Sequence, residues 1–536
     1  MLSRFKRNTM TINRRRFLHL AASSVVAPAL IGRAAGQERT WRSGTPFTLG
    51  VAAGCPRPTG FVLWTRLAPE PFVSESGLLG GISGPTIDVG YEIARDDAFQ
   101  DIAVRGITSA DRDFAYSVHL EVDGLEPGRP YWYRFMSGEA VSRTGRAMTA
   151  PAAGADLDRL RFGTVSCSHY ELGYFSPYRH LADEHPDLVM YLGDYIYEYI
   201  EKRHPTVRAH SDGVEATTLP TYRNRYAQYH TDPDLQRLRA EAPGLITWDD
   251  HEVENDYGDQ WSANFIAPEQ FLLRRAAAYR AFYEHMPLSP RLSRPNGPSM
   301  RIYDRFDFGK LARVSMLDGR QYRSRGACYG PPRKGRGHLE TAASCPELFD
   351  ENRSILGTEQ EGWLYLGFAQ SPARWNILGQ DVMMARLRTN EGDLRDAHWT
   401  DAWDGYPSNR ARVLQHISDA KVSNPVVFSG DIHSYWTNDL KLDFDKPSSP
   451  VVATEFVGTS VTATPPPEEQ MRRYARDNPH IRFFEPKFRG YVSVDLTRER
   501  MQTRYRTVSD VTDPQATVST LKSYVVESGK AGAIEG

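Results

Sequence analysis

Six times between residues 159 and 436, a run of apolar residues breaks abruptly into side chains able to bind a metal or a phosphate. "RLRFGTVSCSH" ends on Cys167 and His169, "LVMYLGDYIY" on Asp194 and Tyr197, and "GLITWDDHEVEND" on Asp249, Asp250, His251 and Asn255. "ARVSMLDGRQYR" ends on Asp318, Arg320 and Arg323, "RWNILGQD" on Gln380 and Asp381, and "VVFSGDIHSYW" on Asp431 and His433. Such runs, with no alternating polar face, read as strands buried on both sides. Helical patterns lie between them. "FSPYRHLADEHPD" precedes one strand, and "PEQFLLRRAAAYRAFYEHMP" repeats apolar residues near a 3.6 period until Pro287 stops it. "TEQEGWLYLGFAQ" is a third. Alternating strands and helices predict a layered α/β domain, and open sheets of that kind bind ligands at the carboxyl edge of their strands. The six polar ends are expected to share one site there.

The chain before this region has a different rhythm. Between about residues 37 and 150, short β-rich runs such as "GFVLWTRLAP", "PTIDVGYEIARD" and "PYWYRFMSG" are separated by Gly, Pro and Asp turns. They predict an antiparallel β-sandwich of immunoglobulin or fibronectin type. "TAPAAGADLDR" reads as a linker, and "DPQATVSTLKSYVVESG" near the end as a short helix. The expected organisation is a leader at 1–36, a β-sandwich domain at 37–150, a catalytic domain at 151–508 and a C-terminal tail at 509–536. The expected fold is thus a layered α/β (α+β) sandwich of sheets flanked by helices, with an N-terminal sandwich.

Charge changes the picture at the start of the chain. Residues 1–35 carry seven basic side chains and no acid; the formal charge of −2 becomes −9 without them, since 58 Lys and Arg then face 67 Asp and Glu. "NRRRFLHLAASSVVAPALIGRAAG" places Arg14-Arg15-x-Phe17-Leu18 before a weakly apolar stretch too short to span a bilayer as a mature helix. It resembles a twin-arginine export signal cleaved near Ala35, with the export machinery as partner and a periplasmic or extracellular destination. No later window is long and apolar enough for a transmembrane helix, and the balanced charge offers no nucleic-acid-binding patch. Of four cysteines, Cys328 and Cys345 stand close in one loop-like stretch that an exported protein can pair, leaving Cys55 and Cys167.

Each polar strand end has a plain explanation by itself. Asp after Gly is common in turns, Asp249-Asp250 can cap a helix, and a buried Cys is often a small hydrophobe. Tyr197 can be packing and His433 a core histidine. Six coincident ends make independent accidents a poor account. Together they supply carboxylate, imidazole, thiolate and phenolate. The soft and nitrogen donors suit a transition metal, and the oxygens suit a hard ion such as calcium or magnesium. Asp194 has two oxygens and can bridge two ions.

The motifs Gly193-Asp194-x-x-Tyr197, Trp248-Asp249-Asp250-His251-Glu252-Val253-Glu254-Asn255, Leu317-Asp318-Gly319-Arg320-Gln321-Tyr322-Arg323 and Gly430-Asp431-Ile432-His433-Ser434 resemble the alkaline phosphatase D (PhoD-like) family of metallophosphatases. The resemblance runs from about Phe47 to about Leu496. It implies an iron(III)–calcium site, with one or two calcium ions or other divalent metals. Cys167, Asp194, Tyr197 and His433 would hold iron. Asp194, Asp431 and Asn255 would hold calcium, with Asp250 as the alternative to Asn255. The resemblance also gives His251 a role in assisting the leaving group, and Arg320 and Arg323 a grip on substrate phosphate, against the alternative of a structural salt-bridge pair. Asp194, His251 and Arg320 are then the expected catalytic residues.

The chemistry expected of such a site is hydrolysis of phosphate monoesters, diesters or both, at alkaline pH, by attack of a metal-bound hydroxide. No Gly-x-Ser-x-Gly elbow offers a serine nucleophile. Substrates range from small phosphate esters to polymers. A phosphodiesterase or phospholipase acting on teichoic acid, nucleotides or lipid head groups is the rival within the class. A non-catalytic exported binding protein with structural metals is the rival outside it.

Overall fold

The computed structural model describes residues 44–72, 78–331, 335–389 and 392–536. The export leader expected at 1–36 lies outside them. Two large sheets stack face to face. The first has ten strands and contains the parallel trio Arg159–Val165, Leu188–Leu192 and Gly244–Thr247. The second has seven and is built on the parallel strands Ala312–Met316, Trp375–Gly379, Pro425–Ser429 and Val451–Val457. Phe162, Met190, Leu192 and Leu245 of the first sheet pack with Val314, Ile377, Phe428 and Phe456 of the second.

Helices cover the outer faces. Ser176–Asp183, Pro233–Glu241 and Pro268–His285 share a core with Val189, Tyr191 and Ile246 of the first sheet. Gly357–Ala369 and Pro407–Asp419 pack with Leu378, Val427 and Val457 of the second. The central strands therefore meet apolar surface on both sides, which is why they read as unbroken apolar runs. Their registers also agree. Tyr191 pairs with Val165 and Leu192 with Thr247, while Gly379 pairs with both Met316 and Phe428. The strands end level, so the turns that follow them open on one edge.

One sequence-based expectation changes. The segment after Ser509 is a strand, not a helix: Val518–Glu527 pairs antiparallel with Arg500–Val508, and Tyr524 and Val526 enter the inter-sheet core. Its Val, Thr and Tyr content suits a pleated, half-buried surface better than a helix. The N-terminal strands are also joined to the rest. A five-stranded antiparallel sheet packs on Val51–Arg57, Gly60–Arg66 and Ser117–Val122, and those three continue the ten-stranded sheet through the parallel pair Gly54 and Gly244. Cys328 and Cys345 form a disulfide, with 6.0 Å between their Cα atoms.

Buried imidazoles give the fold a dependence on acid. His480 is 4% exposed and its Nε2 bonds to the Arg386 carbonyl at 2.9 Å. Burial, with Arg410 and Lys441 nearby, pushes it down to about 4, against the opposing effects of the Arg386 bond and Asp404. The unfolded chain binds this proton more readily, so stability is lost as pH falls from about 6.5 towards 4, by roughly 1.4 kcal/mol per unit for one full proton. Thermal unfolding of His480→Gln across that range should show a shallower decline than the parent.

Candidate metal centre

At the common carboxyl edge the six strand ends converge. Cys167 follows the strand Arg159–Val165, Asp194 follows Leu188–Leu192, Asp249 to His251 follow Gly244–Thr247, and Asp431 and His433 follow Pro425–Ser429. Four of these residues hold left-handed backbone: φ is 59° at Cys167, 50° at Asp194, 65° at Asp431 and 53° at His433. Non-glycine residues adopt it at a cost, and it concentrates where side chains must be aimed. Gly193, at φ 88°, has no such freedom to be replaced, because a Cβ there would lie 2.4 Å from that of Asp249. A cleft of about 790 Å³ opens at the opposite edge, beside Leu311, Arg374 and Pro425, and none of the chemistry-bearing residues lines it.

Asp194 is the hub. Its Oδ2 accepts the Tyr197 hydroxyl at 2.9 Å, and Tyr197 Oη lies 3.0 Å from His433 Nε2. Cys167, Asp194 and His433 bring ligand atoms within 4.8 Å of one another, and so do Asp194, Asp250 and His251. Asp194 thus belongs to two groups at once, while its buried Oδ1 has no hydrogen-bond partner. His433 Nδ1 meets the Thr464 carbonyl at 2.7 Å, which makes Nδ1 the protonated nitrogen and leaves the Nε2 lone pair facing the cluster. The side chain of His433 keeps 22% exposure on the open side. A third acidic group, Asp250, Asp256 and Asp401, adjoins the second.

The electrostatics call for cations. Loss of solvation drives the Asp194 carboxyl well above its usual range, and the charges of Asp250, Glu252 and Asp431 add to this against the pull of His251. Loss of solvation and then the Asp250 charge raise Asp431 in the same way. Burial raises the Cys167 thiol and the Tyr197 phenol, each further raised by Asp194. Such donors ionise when a metal binds them. The unpaired buried Asp194 Oδ1, joined by Asp249 Oδ2 and Asp250 Oδ1, and this mixture of sulfur, phenolic, imidazole and carboxylate donors fit a pair of bound metal ions.

His251 is 6% exposed, and its Nδ1 lies 2.6 Å from Glu198 Oε2. Its ring packs on Tyr197 with centroids 4.2 Å apart. Burial would lower it, but the charges of Glu198, Asp194 and Asp250 outweigh that and raise it well above the ordinary imidazole range. Asn255 is placed by its backbone, whose N–H donates to Glu198 Oε1 at 2.9 Å. Among the described residues its carboxamide makes no hydrogen bond, whereas Asp250 stands inside the acidic cluster.

The two arginines are arranged differently from a pair reaching out for substrate. Arg320 is fully buried, with Nε 2.5 Å from Asp249 Oδ1, Nη1 2.9 Å from Asp401 Oδ1, and Asp381 and Asp250 at 3.6 and 3.7 Å. Arg323 donates to the Gly319 carbonyl and to Asp401. Each has an Nη2 without a hydrogen bond, that of Arg320 facing Asp250. Asp318 accepts from Trp248 Nε1 at 2.8 Å and from Gln321, and Gln380 accepts from Trp403, so these two strand ends hold loops in place.

Several residues of the centre escaped the sequence reading. Glu198 sits one position after Tyr197, where a lone acid in an aromatic run was the available signal. Glu252 accepts from the backbone N–H groups of Asp194, Tyr195 and Asp249 at 3.2, 2.5 and 2.8 Å, clamping two ligand-bearing turns together. Asp256 closes the "GLITWDDHEVEND" stretch itself, and Asp401 comes from a loop without a preceding apolar run.

The model of the PhoD-like phosphatase family matches residues 162–505, and that of its N-terminal domain matches residues 33–151. Alkaline phosphatase D of Bacillus subtilis (strain 168) is 42% identical over 499 residues, which span 91% of this chain and 82% of that protein. A solved structure described as that of PhoD superposes with a TM-score of 0.84 at 40% identity, covering 92% of each chain.

Proposed function

The chain belongs to the PhoD-like phosphatase family and is a phosphoric ester hydrolase, and from that premise we propose that it is an exported, metal-dependent phosphatase and phosphodiesterase working at the Asp194 cluster. The observation that supports this most is the sharing of Asp194 between two ligand groups. In this reading Cys167, Asp194, Tyr197 and His433 hold iron(III), whose affinity for imidazole and anionic donors they suit. Asp194, Asp431 and either Asp250 or Asn255 hold calcium, which takes oxygen ligands. When bound, the cations offset the charge of a phosphate ester and bring the pKa of a water near neutral.

The protein's own groups supply the rest. Asp194 fixes the separation of the two groups. His251 offers Nε2, which among the described residues has no hydrogen-bond partner, for proton transfer to the leaving oxygen. Arg320 holds Asp249 and Asp401 in place and turns its Nη2 toward Asp250, so only the Arg323 Nη2, without a partner among the described residues, remains for a substrate oxygen.

The domain reading keeps an immunoglobulin- or fibronectin-like sandwich at 37–150, supported by its antiparallel pairing and separate core, and a catalytic unit at 151–508. Export is supported by the Cys328–Cys345 disulfide, which belongs in an oxidising compartment, and the twin-arginine route by the Arg14-Arg15 leader. Among the described residues no helix is long and apolar enough to cross a membrane.

Two experiments test the reading. Rates on 4-nitrophenyl phosphate and bis(4-nitrophenyl) phosphate should both rise above background with the purified, metal-loaded protein; turnover of neither would overturn it. Tyr197→Phe should bleach the visible absorption expected of an iron(III)–phenolate pair. An unchanged visible spectrum in that variant would remove Tyr197 from the ligand set.

A further inference from the structure

We propose that Glu198 is a positioning residue that fixes the tautomer and aim of His251 for protonation of the leaving group. This rests on the phosphoesterase reading of the site. Glu198 stands in the turn after the strand Leu188–Leu192, and His251 in the turn after Gly244–Thr247. The carboxylate is 3% exposed and both oxygens are engaged: Oε2 with His251 Nδ1 at 2.6 Å, Oε1 with the Asn255 N–H at 2.9 Å. A carboxylate can only accept, so Nδ1 must carry hydrogen. Nε2 is then the one ring nitrogen left to exchange a proton with substrate, and it has no partner among the described residues. The Tyr197 ring, 4.2 Å away, restrains the imidazole from one face, so rotation out of this aim would break both contacts. The Glu198 backbone is itself anchored, its carbonyl accepting the Ala216 N–H at 2.8 Å. The second oxygen ties the same carboxylate to the His251–Asn255 turn, so one group sets both the ring and the loop that carries it.

The test compares two monoesters on the same holoenzyme preparation: one with an alkyl leaving group that needs a proton, and 4-nitrophenyl phosphate, which leaves readily without one. Glu198→Gln should slow the alkyl ester by roughly 100-fold and the 4-nitrophenyl ester by less than about threefold. The ratio of the two rates does not depend on what fraction of the sample is folded. Glu198→Asp, which keeps the charge but shortens the reach, should show the same split. In a His251→Gln background, Glu198→Gln should change the ratio by less than about twofold. Equal losses on both esters, or a full further loss in the double variant, would reduce Glu198 to a structural role and overturn the proposal. Absence of turnover by the parent protein on either ester would instead strike the phosphoesterase reading itself.

Discussion

Asp194→Ala is expected to cost roughly 10³-fold or more in kcat/KM on both phosphate monoesters and diesters, about 4 kcal/mol of transition-state stabilisation. The reason is its double membership. Cys167 and His433 form one group with this carboxylate and Asp250 and His251 another, so its removal weakens both proposed ion sites together. In the metal-free protein fold stability should suffer little, because the lost group is a buried carboxyl held well above its usual range by desolvation and like charge. Asp194→Asn should fall nearly as far, since the amide keeps the shape but offers no bridging charge. Steady-state rates and metal content, measured on one preparation, check both statements. An Asp194→Ala protein that keeps its metals and turns over a chromogenic diester would contradict the bridging role.

Arg320→Ala is expected to act in the opposite way, through stability first. The guanidinium is fully buried and bonds to Asp249 and Asp401, with Asp250 and Asp381 close behind. Its removal leaves Asp249 and Asp250 without their cation, and Asp381 and Asp401 with Arg323 alone. Breaking a buried ion pair costs about 3–5 kcal/mol, and a hub shared by several acids should sit at the upper end of that range. Arg320→Lys should recover only part of it, because an ammonium cannot reproduce the planar fork that meets Asp249 through Nε and Asp401 through Nη1. Chemical denaturation of the two variants measures the difference. Near-normal stability of Arg320→Ala would show that the carboxylates can discharge their repulsion by taking up protons.

The centre was legible in the sequence to the extent that its residues end buried parallel strands. Such strands must be apolar on both faces, so an Asp, Cys or His at their carboxyl end stands out, and level registers bring those ends together. Cys167, Asp194, Tyr197, Asp250, His251, Asp431 and His433 are thereby expected at one edge without coordinates. Asp401 cannot be found in this way, since it arrives from the loop "HWTDAWDG" with no apolar run before it, nor can Glu198, whose partner lies 53 residues further along the chain. Nor does the sequence tell that Arg320 faces inward, because a strand-end arginine looks the same whether its acids belong to the protein or to a substrate. The C-terminal strand was missed for a related reason. Val518–Glu527 becomes a strand because Arg500–Val508 offers it an edge, and that edge is set by tertiary structure.

The joining of the N-terminal strands to the ten-stranded sheet bears on the centre as well. Val51–Arg57 pairs beside Gly244–Thr247, the strand that delivers Asp249, Asp250 and His251. The N-terminal region therefore buttresses a strand that carries proposed ligands.

The most direct measurement of the central claim is elemental analysis of the native protein, set beside its visible spectrum and its diesterase rate. About one iron and at least about one calcium per active chain are expected, with a coloured protein whose activity falls as the metals are stripped and returns when they are restored. A colourless, iron-free preparation with full activity would contradict the assignment of Cys167, Tyr197 and His433 as ligands of a catalytic metal.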